Sequence, residues 1–470
     1  VAEDKPAARI DPWILWFGGG AFLMCYFGQT ILGVVQPTID SQLGLSASEA
    51  QWIVNAFFLG MALFAAPGGR LGDYYGHRTV LLVALGVFAL GSVSATVAHG
   101  FPWLVASIGV AGIGASTLYP SSAALVANSV PLEIRGKAIG QYSAIGVSVF
   151  VVAPLASGLL TELVSWRAVF GLQALMALGL AFVGWRFVTP PRVPTPEPFD
   201  ARGWGILAVG LSAVLVALMQ ALVWGLDSAS TLGLLAIGAV TLAAFVRFEL
   251  RQEHPLLDLH LLERRTIVGI VIAMFSAQFL LNGFVIYLAT FLQHILGMGP
   301  LLAALAFIPA MIVQPFTAIR IGKLTDRIGP RKPAIAGYAL ATACLTWVAI
   351  FVHAGSYWPL LPGLVLFGAA VAPMFTSLLT GLSNAVEADE RGDANALVLT
   401  IRWIGAAVGT MALGLVIHST EQHGIPTEDG YSDAFLLSAA VALVGVVACV
   451  ALLRGPAERK RTHHHLRPHL

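Results

Sequence analysis

Charge is what this sequence has least of. Asp, Glu, Lys and Arg make up 11% of the 470 residues and apolar types 57%, whereas about a quarter of a soluble domain is charged. With a mean hydropathy of +0.81, that scarcity excludes a water-soluble fold and implies a chain threaded through a bilayer. The 26 cations and 25 anions nearly cancel, so the basic excess that nucleic acid requires is missing, and so is an acidic tail. Cysteine is sparser still. Cys25, Cys344 and Cys449 lie far apart inside apolar runs, which argues against a disulfide framework or a cysteine-held metal. No Gly-x-x-x-x-Gly-Lys-Ser/Thr loop occurs, so the sequence offers no cradle for ATP. Nor do histidines and carboxylates converge as metal or acid–base chemistry at a membrane boundary requires, which argues against an enzyme. The run His463 to His465, with His469, sits in a basic tail and reads as a solvated end. No cofactor and no metal are expected.

Long apolar runs are abundant instead. A hydrocarbon core near 30 Å needs roughly 20 helical residues, and fourteen runs of that order are separated by polar or Gly/Pro punctuation. The first, from Trp13 to about Val35, exceeds the roughly 7 to 15 residues of a signal-peptide core and is expected to remain as a span. The expected layout is an N-terminal segment (1–12), a six-helix bundle (13–189), a proline-rich linker (190–202) and two additional helices (203–248). A second linker (249–265), a second six-helix bundle (266–453) and a basic tail (454–470) complete it. Twenty-four cations fall on one set of alternate loops and on the two termini, from Lys5 and Arg9 through Arg264 and Arg265 to Arg467. The opposite loops hold Arg167 among acidic residues, and Arg402 falls inside a span. The positive-inside rule then places both termini in the cytoplasm of a multi-pass protein of the inner or plasma membrane.

An internal repeat underlies the layout. Gly69, Asp73, Gly76 and Arg78 recur at Gly322, Asp326, Gly329 and Arg331, each offset by 253 residues. Pro120 and Pro373 share that offset, and Arg135-Gly136 recurs as Arg391-Gly392 at an offset of 256. Six spans use about 200 residues at this density, so the larger offset leaves room for a helix pair between the repeats, introduced by the stiff stretch from Thr189 to Pro198.

The paired loop motif, Gly69-x-Leu71-x-Asp73-x-x-Gly76-x-Arg78 and its second copy, resembles the signature of the major facilitator superfamily, over about Trp13 to Leu453. Fourteen spans with a central pair are similar to its drug:proton antiporter branch. Pro37, Trp166-Arg167-x-x-Phe170, Gln293 and Arg402-x-x-Gly405-x-x-x-Gly409 add to the likeness. The resemblance implies an all-α polytopic fold of two six-helix bundles plus two central helices. It also implies export of lipophilic or amphipathic small molecules by rocker-switch alternating access, with the motif residues gating. Where that branch carries Asp and Asn in the first span, this sequence has Gly28 and Gly33; its Arg and Gln of the fourth span are replaced by Ile108 and Ala111. The antiporter motif of the fifth span keeps Pro154 and Gly158. Proton coupling would then fall to Asp40, Asp73 or Glu162. The alternative is a proton-independent facilitator, or a carrier of an anionic or lipid-like solute. A monomer working with a small-molecule substrate, protons and lipid, without ATP or nucleic acid, is the expectation.

Polar residues inside spans are candidates for the cavity: Gln29, Gln36, Asn55, Tyr119, Gln141, Tyr142, Gln278, Asn282, Tyr287 and Gln314. Interhelical hydrogen bonding explains each of them as well. Arg402 stands apart. About ten residues beyond Gly392, it lies roughly 15 Å deep, where a charge costs at least ~2.5–3.5 kcal/mol and must face a cavity or find a partner. A solute anion and neighbouring helix carbonyls are equally open to it. Asp73 with Arg78, and Asp326 with Arg331, are expected to pin helix ends.

Overall fold

The computed structural model describes residues 11–189, 200–225, 227–252, 255–387, 390–420 and 426–453. The tail histidines, most of the proline-rich linker, Lys5, Arg9 and the side chain of Asp326 lie outside the described residues. All regular structure among the described residues is helical. The first half contributes α1 (Pro12–Leu43), α2 (Ala47–Tyr75), α3 (His77–Thr96), α4 (Phe101–Asn128), α5 (Leu132–Val147), α6 (Val149–Leu163) and α7 (Trp166–Phe187). A central pair follows, α8 (Ala201–Trp224) and α9 (Ala229–Glu249). The second half comprises α10 (Arg265–His294), α11 (Pro300–Leu305), α12 (Ile308–Ile328), α13 (Arg331–Phe351), α14 (Leu361–Ala385), α15 (Arg391–Ser419) and α16 (Glu428–Leu452). With α5 and α6 forming one span and α11 and α12 another, the chain has fourteen helical spans long and apolar enough to cross a bilayer.

Local chemistry sets the helix ends. Asp11 accepts the Trp13 amide at 2.9 Å with Pro12 in the first turn, and Ser46 and Glu49 form a reciprocal capping box at the start of α2. Gly76 (φ +87°) and Gly329 (φ +82°), copies of one motif position, break α2 from α3 and α12 from α13. Both need a left-handed backbone that residues with a Cβ rarely adopt.

The helices bury two apolar cores, one in each half. Close approach is bought with glycine: a Cβ on Gly112 (α4) would collide with the Phe57 carbonyl of α2, and one on Gly368 (α14) with the Ala310 carbonyl of α12. Phe57 and Ala310 are 253 residues apart, so the duplicated sequence repeats the contact. The central pair is a brace. Leu211, Leu215 and Met219 of α8 join the first core while Leu207 joins the second, and Trp204 donates to the Leu63 carbonyl of α2 at 3.0 Å.

Candidate functional site

The halves meet along α1 with α10, α2 with α15 and α6 with α11. Between them lies a cavity of about 330 Å³, within the range of pockets that hold small molecules. Its walls come from α1, α4, α5, α6, α10, α12, α14 and α15 and are mostly apolar. Aromatic rings interlock on the first-half side: Phe22 lies 5.1 Å from Tyr119, and Tyr26 lies 5.6 Å from Phe150. Among the described residues of the lining Arg402 is the charged one, and none is a carboxylate.

Arg402 reaches the cavity from α15 and is 5% exposed. Its Nε and one Nη donate to Gln278 Oε1 at 3.3 and 3.1 Å, and the same Nη donates to the Tyr26 hydroxyl at 3.1 Å. The guanidinium carbon lies 4.9 Å from the Phe375 ring centroid, close enough for a cation–π attraction. Two neutral acceptors and a ring face surround the positive charge, with no counter-ion among the described residues, in an enclosure where Coulomb attraction to an entering anion is strengthened.

Gln29, Tyr119, Asn282, Gln314, Arg402 and Pro154 line the cavity together. Gln278 supports Arg402 from behind. The remaining polar candidates lie elsewhere. Gln36 donates to Asp40 at 3.3 Å. Asn55 accepts from Thr410 at 2.5 Å and so joins the halves, while Tyr287 donates to the Thr410 carbonyl at 2.6 Å and so ties α10 to α15 within the second half. Tyr142 bonds Ser122 at 3.0 Å, and Gln141 faces outward and is exposed. Helical periodicity explains the split: i, i+4 spacing identifies a shared face but not the neighbour it meets. Sequence reading passed over Phe22, Ser143, Phe375 and Thr376, because a wall of small and aromatic residues has the composition of any buried helix face.

The motif loops hold different partners from those expected. Arg78 donates to the Gly184 and Trp185 carbonyls at 3.0 and 2.7 Å, not to Asp73. Asp73 pairs with His77 at 3.3 Å, and Arg331 donates to the Val450 carbonyl at 2.5 Å. Each motif Arg thereby ties the end of the last helix of its own half, satisfying orphan C-terminal carbonyls. An ion pair between the halves on this basic face is Arg70 with Asp393, at 2.6 Å; Arg70 also donates to the Pro255 carbonyl. A Cβ on Gly69 or Gly322 would stand in open space, so helix packing here does not require them. Arg135 is half-buried on α5 and Arg391 is exposed at the start of α15. At the opposite face, Glu162 of α6 accepts the Leu301 amide of α11 at 3.2 Å. Gly158 allows this approach, since a Cβ there would stand 2.9 Å from Leu301 Cα.

Gly28, Ile108 and Ala111 come together. With Phe57, Phe170 and Gln173 they surround a void of about 10 Å³, too small for a solute. Three of the four positions at which the family resemblance implied charged or polar side chains thus sit around one small void that Gln173 also lines, while Gly33, the fourth, lines the large cavity.

Comparison with known proteins accords with this geometry. The family model described as Major Facilitator Superfamily matches residues 19–410 and 270–468. The Multidrug resistance protein Stp of Mycobacterium tuberculosis is 28% identical over 85% of this chain and 74% of its own. The Multidrug efflux pump LfrA of Mycolicibacterium smegmatis is 27% identical over 96% of this chain and 90% of its own. Among solved structures, a D-xylose-proton symporter superposes with a TM-score of 0.69 at 14% identity, covering 94% of this chain and 98% of the other. That likeness concerns the fold.

Proposed function

The chain belongs to the major facilitator superfamily, and from that premise we propose that it is a secondary transporter exporting lipophilic or amphipathic small molecules across the cell membrane. Its two halves rock about the central cavity, protons move in the opposite sense, and both termini lie in the cytoplasm with the basic loops. Relatives named for multidrug resistance and efflux support the export of drug-like solutes. The observation that carries the reading is the cavity: a space of about 330 Å³ at the seam of two repeated halves, walled by aromatic and aliphatic side chains. Such walls select by shape and desolvation rather than by a polar code, which suits lipophilic solutes. The Arg70–Asp393 pair on one face and the Glu162–Leu301 bond on the other are weak enough to be exchanged during a cycle.

A second reading, an anion carrier or facilitator without proton coupling, is favoured by the Arg402 site, whose charge has no carboxylate partner among the described residues of the wall. Inside-out membrane vesicles separate the two. Export predicts uptake of a neutral lipophilic dye that stops when an ionophore collapses the pH gradient. Uptake indifferent to the ionophore and confined to anionic dyes selects the second reading, and no uptake beyond that of vesicles lacking the protein removes both.

A further inference from the structure

A polar stripe runs along α1 from the cavity to the seam between the halves. Gln29, Gln36 and Asp40 are spaced by seven and four residues, which sets them on one helical face over roughly 16 Å. Each carries a buried oxygen without a hydrogen-bond partner: Gln29 Oε1, Gln36 Oε1 and Asp40 Oδ1. Gln29 opens on the cavity, and Gly33, between the two glutamines, lines the cavity and abuts Ile286 of α10. At the seam Gln51 Nε2 of α2 and the Tyr287 hydroxyl of α10 converge on Gly414 of α15, and Gln51 Nε2 and Asn55 Nδ2 are also buried and unpartnered. Buried polar atoms rarely stay unsatisfied, and a row of them is where bridging water finds its partners.

We propose that Asp40 is the proton-carrying carboxyl of this transporter, linked to the solute cavity by the Gln29–Gln36 stripe; this deepens the proton-coupled reading above and rests on it. Loading forms an O–H bond on Oδ1 as a hydronium ion gives up its proton and leaves as water; release along the stripe reverses it. The groups around Asp40 leave this task to it. Gln36 is its hydrogen-bond partner, and Tyr287 of α10 is in electrostatic range. Glu49 of α2 is occupied in its own capping box, and His294 and His418 stand at the ends of α10 and α15. Among the described residues no cation pairs with Asp40.

Proteoliposomes holding wild type, Asp40→Asn, Asp40→Glu or Gln36→Leu test the assignment, with a lipophilic dye followed in two modes. The proposal expects Asp40→Asn to keep counterflow at equal pH within about twofold and to lose at least tenfold of the accumulation driven by a pH gradient. Asp40→Glu regains gradient-driven accumulation, and Gln36→Leu slows it without changing counterflow. Gradient-driven accumulation undiminished in Asp40→Asn overturns the proposal. Wild-type counterflow that ignores the gradient overturns it too while leaving transport standing; no movement in either mode by the wild type removes the transport reading and this inference with it.

Discussion

At the residue scale the central feature is Arg402, a buried cation held by neutral groups. Its depth follows from the sequence because helical rise converts residue count to distance. Its partners do not, since Tyr26 lies 376 residues away in the other half and Phe375 arrives from a different helix. If Arg402 receives the anionic end of a solute, Arg402→Gln should weaken apparent affinity for an anionic lipophilic dye about tenfold or more, the order of one lost charge-assisted hydrogen bond. Affinity for a neutral analogue should change less than about threefold, as concentration dependence of transport would reveal; equal losses for both dyes would indicate a structural role. Glycines offer a cleaner test of packing. Gly112→Ala places a Cβ against the Phe57 carbonyl and should cost about 1–3 kcal/mol by overpacking, read as a lower melting temperature in detergent. Gly86→Ala, with open space at its Cβ, should be neutral or slightly stabilising.

Helices, as elements, were the most legible part of the chain. Fourteen apolar runs, proline punctuation and the 253-residue offset are local signals, and each reports burial or turn geometry directly. Pairings between elements were less so. The motif suggested Asp73 with Arg78, yet Arg78 caps the end of α7 through Gly184 and Trp185, because a guanidinium at a helix C-terminus finds orphan carbonyls nearer than a carboxylate that already faces His77. An ion pair between the halves, Arg70 with Asp393, uses the neighbouring motif position. Partly exposed on both sides, it is worth up to about 1 kcal/mol, so Asp393→Asn should widen the distance distribution between spin labels at Tyr75 and Gly392, and the double swap Arg70→Asp/Asp393→Arg should narrow it again. An unchanged distribution would show that the pair does not latch this face. A second pair, Arg264 with Glu390 at 2.5 Å, holds the Glu390 carboxyl below its ordinary range through the Arg264 hydrogen bond. The stability it adds is present at neutral pH and lost as pH falls through the lowered value. Solvent screening limits it to tenths of a kcal/mol, so Glu390→Gln should lower the neutral plateau of a melting-temperature profile slightly and leave its acid end unchanged, which reduces the drop between the two.

For the whole molecule, the arrangement is two repeated bundles braced by α8 and separated by a mostly apolar cavity whose charge comes from one side chain. The overall layout could be read from the sequence because duplication and the bilayer limit the choices. Cavity walls could not, because the same small and aromatic residues line a solute path, face lipid or fill a core, and only the packing of both halves distinguishes these. Gly28, Ile108 and Ala111, at which the family resemblance implied polar groups, lie far apart in sequence, and only the packing shows them around one void. The most direct measurement is counterflow of a matched pair of lipophilic dyes, one anionic and one neutral, in proteoliposomes bearing the wild type or Ala372→Trp, which places a large ring on the cavity wall. A solute site between the halves predicts exchange of both dyes by the wild type and the loss of most of it in Ala372→Trp. Full exchange through the filled cavity would contradict the account.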